Sequence, residues 1–260
     1  MPELPEVEHA VRRLRAWIAG RTVVHAAVHH KAIRRTLTPA RVRSLAGRTV
    51  HAVTRRGKHQ LLHLDDGRLL HVHFRMTGDW ELVEAGAVPP KYVRLTLELD
   101  DTRRVVLTDM RAFATAVLIR STDELGPLGP EADDATLSGD AFHAMLRGRK
   151  TVIKVALLDQ RLLAGVGNIY ASEGLWHARV SPRAVAGSLT AARAGRVLDG
   201  VRKALDRGMR REGRYADGDS HEFLVYDREG LACHHGCGGR IRRIVQSQRS
   251  SYHCPRCQTR

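Results

Sequence analysis

Apolar residues recur at helical spacing at the start of the chain, alternate with polar residues as in strands over the following part, and return to helical spacing in the second half. A helix over residues 3–20 is predicted by four apolar residues that fall on one face, namely Val7, Val11, Leu14 and Ile18. Short strand-like runs follow, broken by turns at residues 65–67 and 100–102. The clearest of these runs are Thr22–Val28, Thr49–Thr54, Gln60–Leu64, Leu69–Phe74 and Arg94–Leu99. This half therefore predicts an antiparallel β-sandwich behind one leading helix.

The second half begins after a polar stretch rich in proline and glycine, residues 126–134, which we interpret as a linker. Beyond it the apolar residues recur at helical spacing, as in Val197, Val201 and Leu205. A small segment rich in cysteine and glycine closes the chain. The pattern predicts an α+β multidomain protein with a β-sandwich domain at 1–131, a helical domain at 132–224 and a small cysteine-rich hairpin module at 225–260.

The charge balance narrows the class of partner. The chain carries 43 Lys and Arg residues against 28 Asp and Glu, a formal net charge of +15. A positive field of this size favours a polyanion, because phosphate neutralisation releases counterions. No apolar run is long enough to span a bilayer, and the acidic N-terminus lacks the apolar region of a secretory signal. We expect a nucleic-acid partner inside the cell; a genome whose base composition favours arginine codons is the alternative explanation of the charge.

All four cysteines lie in the last 28 residues, with the spacing Cys233-x3-Cys237-x16-Cys254-x2-Cys257. Two such knuckles separated by a hairpin-length insert are typical of one structural Zn²⁺ held by four thiolates. The insert is basic and predicts a β-hairpin whose tip lies near residues 246–249. The neighbouring His234, His235 and His253 remain alternative ligands at this point.

Six motifs occur in the order found in one family: Met1–Glu8, Arg56-Gly57-Lys58, His73-x-x-Met76-Thr77-Gly78, Asp109–Phe113, the stretch from Leu157 through Glu173, and the cysteine module. In this respect the chain resembles the bacterial formamidopyrimidine-DNA glycosylases over nearly its whole length. The resemblance implies an N-terminal β-sandwich, a helical domain with a helix–two-turns–helix motif, and a zinc finger. It implies a bifunctional enzyme that excises oxidised or ring-opened bases from duplex DNA and cleaves abasic sites.

The N-terminal residues suit that chemistry. Removal of Met1 would expose the secondary amine of Pro2, and an α-amino group titrates near about 8, so that a useful fraction is neutral and nucleophilic at physiological pH. Addition of this amine to the sugar is a Schiff-base route. The resemblance gives Glu3 the role of proton donor and shuttle, Glu6 a supporting role, and Lys58 a catalytic contact with the phosphate beside the lesion. Without the other motifs, Pro2 and Glu3 would read as ordinary helix-start residues.

The resemblance also assigns residues that hold the DNA. Base extrusion leaves a gap that apolar wedges and an arginine can fill, and Met76, Arg111 and Phe113 match that set. Lys154 and Asn168 match residues that grip the backbone around the extruded nucleotide, and backbone N–H groups at a helix start near Asn168 would suit an anion. Arg249 matches the arginine of the finger hairpin that contacts phosphates.

Three departures limit the transfer of substrate preference. The first cysteine knuckle has an extra residue, Arg75 stands where glycine is common, and the loop at residues 213–220 is shorter than the one that caps 8-oxoguanine in typical members. Two alternatives therefore stay open: an endonuclease VIII-like enzyme for oxidised pyrimidines, and a protein that binds damaged or distorted DNA without excising a base.

Overall fold

The computed structural model describes residues 1–211 and 223–259. The described residues fall into two compact units: one comprises Met1–Pro2 and Glu6–Gly126, and the other Glu3–Pro5 and Pro127–Arg260. The boundary at Gly126 lies at the start of the stretch interpreted as a linker. None of the described helices is long and apolar enough to cross a membrane. The shortened loop at residues 213–220 lies outside the described residues.

The first unit is built on an antiparallel sheet behind helix α1 (Leu4–Ile18). In the described part of this unit, eight strands pair in the order β5-β7-β6-β1-β2-β3-β4-β8. Their bounds are β1 Arg21–Val28, β2 Arg48–Arg56, β3 His59–Leu64, β4 Leu69–His73, β5 Asp79–Val83, β6 Val93–Leu99, β7 Arg104–Thr108 and β8 Thr115–Ile119. The antiparallel arrangement and the leading helix are confirmed, and β5, β7 and β8 add to the strands that the sequence made clearest.

The core of this unit forms because α1 places its apolar face on the sheet. Val7, Val11, Leu14 and Ile18 are all buried, together with alternate residues of the strands. Both predicted turns close hairpins, with Gly67 and Thr102 at positive φ. Two short helices, α2 (Lys31–Arg34) and α3 (Pro39–Arg43), connect β1 to β2, and a 3₁₀ turn at Thr122–Leu125 follows β8.

The second unit is helical and ends in a two-stranded hairpin. Its described helices are α4 Gly139–Leu146, α5 Ile153–Ala156, α6 Asn168–His177 and α7 Ala191–Met209, with a 3₁₀ turn at Ala186–Ser188. Helices α6 and α7 approach closely where glycines face each other. A Cβ at Gly174 would overlap Val201, and a Cβ at Gly200 would overlap the Gly174 carbonyl. The hairpin strands, β9 (Arg242–Gln246) and β10 (Arg249–His253), bear out the predicted basic hairpin.

Candidate active site and nucleic-acid interface

The start of helix α6 is capped by a carboxylate from the N-terminal segment of the chain. Glu3 is 2% exposed, and its two carboxylate oxygens accept hydrogen bonds from Ile169 N at 2.9 Å and Tyr170 N at 3.3 Å. The N-cap residue Gly167 contributes no side-chain bond. A carboxylate there satisfies two of the N–H groups that a helix start leaves unpaired and interacts favourably with the helix dipole. The anion-binding groups that the sequence predicted are thus partly taken by Glu3 itself.

The glycine-rich turn before α6 packs against the N-terminal residues Glu3 and Leu4. A Cβ at Gly167 would overlap the Glu3 carboxyl group, and one at Gly165 would overlap the Leu4 side chain. Gly165 also has φ +94, which side chains rarely adopt. Leu4 N donates to Gly165 O at 3.2 Å. The turn therefore needs glycine at both positions so that Glu3 and Leu4 can lie against it.

Three further residues predicted for the site lie around Glu3 in this unit. Lys154 on α5 is fully buried, and its Nζ donates to Asn168 Oδ1 at 2.5 Å. Asn168 Nδ2 donates to the backbone carbonyl of Ser250 at 2.9 Å, which joins α6 to strand β10. Burial first, and then the charge of Arg249, lower the pKa of Lys154 to about 8, while Glu3 acts in the opposite direction. The structure thus brings Glu3, Lys154, Asn168 and Arg249 together.

In the first unit, Lys58 follows Gly57 at the turn between β2 and β3, and its side chain is largely buried. A histidine cluster lies beside it: His59 Nδ1 and His71 Nε2 are 2.8 Å apart, and the rings of His59 and His73 are 5.0 Å apart. Burial first, and then the charges of His59 and Arg75, lower the pKa of His71 to about 4 and that of His73 to about 3. These two imidazoles are neutral at physiological pH.

The residues predicted to fill the gap left by an extruded base lie on two neighbouring loops of this unit. Met76 is 37% exposed and Phe113 is 50% exposed. The Arg111 guanidinium lies 4.9 Å from the centroid of the Phe113 ring, within cation–π distance. Met110, which the sequence analysis did not assign, is also exposed. Exposed apolar side chains grouped with an arginine suit insertion into a base stack.

Buried Asp109 organises these loops. One carboxylate oxygen accepts from the Thr77 hydroxyl and from Arg111 N at 3.2 Å, and the other accepts from Ala114 N at 2.7 Å. The loop that carries Met76 is thereby tied to the loop that carries Phe113. Asp109 lies in one of the sequence motifs, but its role as a hydrogen-bond acceptor could not be predicted there, because these contacts form only in the folded turn. Arg75 adopts φ 57, in the left-handed region that favours glycine over residues with a Cβ.

The cysteine module fits a structural zinc. The ligand atoms of the four cysteines lie within 4.8 Å of one another, with Sγ–Sγ distances of 3.8 Å for Cys233–Cys257 and 3.5 Å for Cys237–Cys254. A regular tetrahedron with Zn–S bonds of about 2.3 Å requires sulfur–sulfur edges of about 3.8 Å. Four thiolates are the donor set that Zn²⁺ prefers in structural sites. The predicted single zinc held by these cysteines is confirmed.

Two aromatic N–H donors face this thiolate group. Their pairing was not predicted from the sequence. Trp176 Nε1 lies 3.3 Å from Cys233 Sγ, and His235 Nδ1 lies 3.3 Å from Cys257 Sγ. The two rings stack at 3.7 Å with an interplanar angle of 11°. His235 therefore lies beside the cluster as a hydrogen-bonding neighbour. Trp176 belongs to α6, so the zinc module is packed against the helix that Glu3 caps.

Comparison with known proteins accounts for each part of the chain. The formamidopyrimidine-DNA glycosylase N-terminal domain matches residues 1–116, the formamidopyrimidine-DNA glycosylase H2TH domain matches residues 128–218, and a zinc finger found in FPG and IleRS matches residues 230–260. The formamidopyrimidine-DNA glycosylase of Cereibacter sphaeroides is 38% identical, with 99% of this chain and 100% of that protein covered. The chain belongs to the formamidopyrimidine-DNA glycosylase family.

Other family members agree in sequence and in fold. The formamidopyrimidine-DNA glycosylase of Roseiflexus is 39% identical, with 99% of this chain and 100% of that protein covered. The Lactococcus lactis enzyme bound non-covalently to DNA with an abasic site has a TM-score of 0.89 at 29% identity, covering 99% of each chain. The same enzyme bound to an oxidised pyrimidine in DNA has a TM-score of 0.90 at 30% identity, again covering 99% of each chain.

Proposed function

We propose that this chain is a bifunctional DNA glycosylase and abasic-site lyase that excises oxidised or ring-opened bases from duplex DNA through a Schiff base on Pro2. The observation that carries the proposal is the fixed carboxylate of Glu3 on the first turn of α6, directly beside Pro2 in the chain. Two N–H donors and one glycine, Gly167, are committed to that one side chain. This carboxylate is thus held in place at the residue next in the chain to the proposed nucleophile.

The proposed reaction begins when removal of Met1 frees the Pro2 amine. The nitrogen attacks the sugar C1′, the bond from C1′ to the damaged base breaks, and the base leaves with a proton. Glu3 protonates the ring oxygen as the sugar opens and an iminium forms between Pro2 and C1′. The iminium accepts the electrons released when a proton is lost from C2′, and the 3′ phosphate is eliminated. Water then hydrolyses the iminium and regenerates the amine.

The remaining predicted residues hold the DNA in the proposed complex. Met76, Arg111 and Phe113 would occupy the gap left by the extruded nucleotide, which offsets an unstacking cost of a few kcal/mol. Lys58, Lys154, Asn168 and Arg249 would bind backbone phosphates, and Glu6 would support the proton transfers at Pro2. One zinc on Cys233, Cys237, Cys254 and Cys257 holds the hairpin that carries Arg249. We propose a cytoplasmic, nucleoid-associated monomer, and its net charge of +15 supports binding to DNA.

Substrate choice within this class is proposed to be broad. The relatives bound to abasic, formamidopyrimidine and oxidised-pyrimidine DNA belong to one enzyme, that of Lactococcus lactis. The sequence at residues 213–220 is shorter than the loop that caps 8-oxoguanine in typical members, which favours a preference that is not restricted to that base.

Borohydride trapping on an abasic duplex and an 8-oxoguanine duplex tests the proposal. Wild type should give a covalent band on both, Pro2→Gly should weaken it strongly, and Glu3→Gln should slow base removal more than trapping at the abasic site. A band on the abasic duplex alone would keep the lyase and move the glycosylase substrate to another lesion. Absence of any band, with Met1 removed and DNA still bound, would leave the non-catalytic binder as the function.

A further inference from the structure

A cavity of about 580 Å³ lies where the zinc hairpin meets the segment that follows α6. Arg183, Arg242, Arg243 and His253 line it, together with uncharged residues. Among its described lining residues there is no aspartate or glutamate. Pockets for uncharged small molecules are lined mainly by apolar and aromatic side chains. This wall is cationic and polar instead, so its chemistry selects an anion.

The hairpin register explains how the floor of the cavity is built. Arg242 on β9 is directly opposite His253 on β10, so both side chains emerge on the same face of the hairpin. That face packs on the segment after α6, where Gln246 Nε2 donates to the Pro182 carbonyl at 3.1 Å. Arg183, the next residue, also lines the cavity. The position of the arginines is thus a consequence of strand pairing and of one anchoring hydrogen bond.

Two guanidinium groups and one ring nitrogen of the cavity lining are available to a ligand. Arg183 and Arg242 are exposed, and neither forms an ion pair with any acidic group in the described part of the chain. His253 is 6% exposed, and its Nδ1 has no hydrogen-bond partner among the described residues. A buried ring nitrogen without a partner is uncommon in proteins and requires an explanation. Two guanidinium groups beside it offer the forked donors that match phosphate oxygens.

The geometry points to a phosphate-binding site formed by Arg183, Arg242 and His253, separate from the residues around Glu3. Its ligand is a phosphoryl group, supplied either by the backbone of DNA outside the lesion or by a free phosphate compound. The first source rests on the proposed function, because it requires DNA to be bound. The second does not, so the two can be tested apart.

Calorimetric titration of the zinc-loaded protein with pyrophosphate tests the site without any DNA. Wild type should bind with saturation, and the double variant Arg183→Gln/Arg242→Gln should weaken binding by about tenfold or more, the effect of losing one hydrogen bond between charged groups. The control Arg147→Gln/Arg196→Gln removes the same charge from exposed arginines outside the cavity and should change affinity less than about twofold, since only general screening is altered. Equal zinc content and circular dichroism show that each variant is folded.

A second measurement distinguishes the source of the phosphate. The logarithm of affinity for an abasic-analogue duplex is measured against the logarithm of salt concentration for the same proteins. If DNA occupies the site, the magnitude of the log–log slope falls by about 0.9 for each phosphate contact that the cavity variant loses. The slope of the control variant should fall by less. Lost pyrophosphate binding with an unchanged slope assigns the site to a free phosphate compound. Unsaturable pyrophosphate binding in wild type, or equal losses in both double variants, would overturn the proposal, whatever the result of borohydride trapping.

Discussion

The substitution Gly167→Ala tests how the fold positions the proposed proton donor. The added methyl group would overlap the Glu3 carboxyl group. Gly167 has φ −130, which alanine adopts readily, so backbone strain contributes nothing. The effect therefore comes from steric contacts of this methyl group, of which those with Glu3 are the nearest.

The magnitude follows from what the contact displaces. Overpacking at a filled site costs about 1–3 kcal/mol. Displacing Glu3 also leaves Ile169 N and Tyr170 N without their acceptor, and loss of a helix cap costs about 1 kcal/mol. We expect a loss of about 2–4 kcal/mol in the free energy of unfolding. For a chain of this size that lowers Tm by roughly 5–15 °C.

The assay is thermal unfolding of the zinc-loaded protein, followed by the rate of borohydride trapping on an abasic duplex. Gly195→Ala is the matched control, because Gly195 lies inside α7 and a Cβ there meets only Gly139 Cα at 3.9 Å. Alanine in a helix interior stabilises by about 0.5–1 kcal/mol relative to glycine, so this Tm should rise by a few degrees. Trapping should slow in Gly167→Ala and stay unchanged in the control. An unchanged Tm and trapping rate in Gly167→Ala would refute the proposed positioning of Glu3.

Three further predictions concern other parts of the molecule. Affinity for an uncleavable abasic-analogue duplex, measured by fluorescence anisotropy, should fall as pH rises above about 8, because Lys154 loses its proton there and a bound phosphate favours the charged form; Lys154→Met should remove most of this fall, and an unaltered pH profile would contradict the assignment. Trp176→Phe and His235→Ala should each release zinc faster to a colorimetric chelator, because each removes an N–H donor from a thiolate, and release rates equal to wild type would show that the two donors are unimportant. Arg75→Gly should raise the free energy of unfolding by up to about 1 kcal/mol. Left-handed backbone costs a non-glycine residue about 1–2 kcal/mol, and the greater entropy of glycine in the unfolded chain offsets part of the gain. A loss of stability in chemical denaturation would contradict this.

Much of the fold could be predicted from local patterns. The periodicity of Val7, Val11, Leu14 and Ile18 gave α1, because a buried face repeats at the helical spacing whatever it packs against. The turn glycine at Gly67 and the spacing of the cysteines are equally local signals. The helix start at Asn168 was also predictable, since the glycine-rich turn before it is written in the sequence.

Contacts between distant residues were beyond such patterns. The sequence suggested that the first turn of α6 binds an anion, but the partner there, Glu3, comes from the other end of the chain. The same holds for Asp109, which receives hydrogen bonds across two loops, and for the Trp176–His235 stack. Their roles follow from tertiary packing, which a single sequence leaves unspecified. The roles proposed for Pro2, Lys58 and the DNA-binding residues remain predictions.

The measurement that bears most directly on the central claim is mass spectrometry of the borohydride-reduced adduct after nuclease and protease digestion. Our account predicts that Met1 is absent and that the reduced sugar remnant is attached to the nitrogen of Pro2. Attachment to a lysine such as Lys58 or Lys154, with Pro2 unmodified, would contradict it.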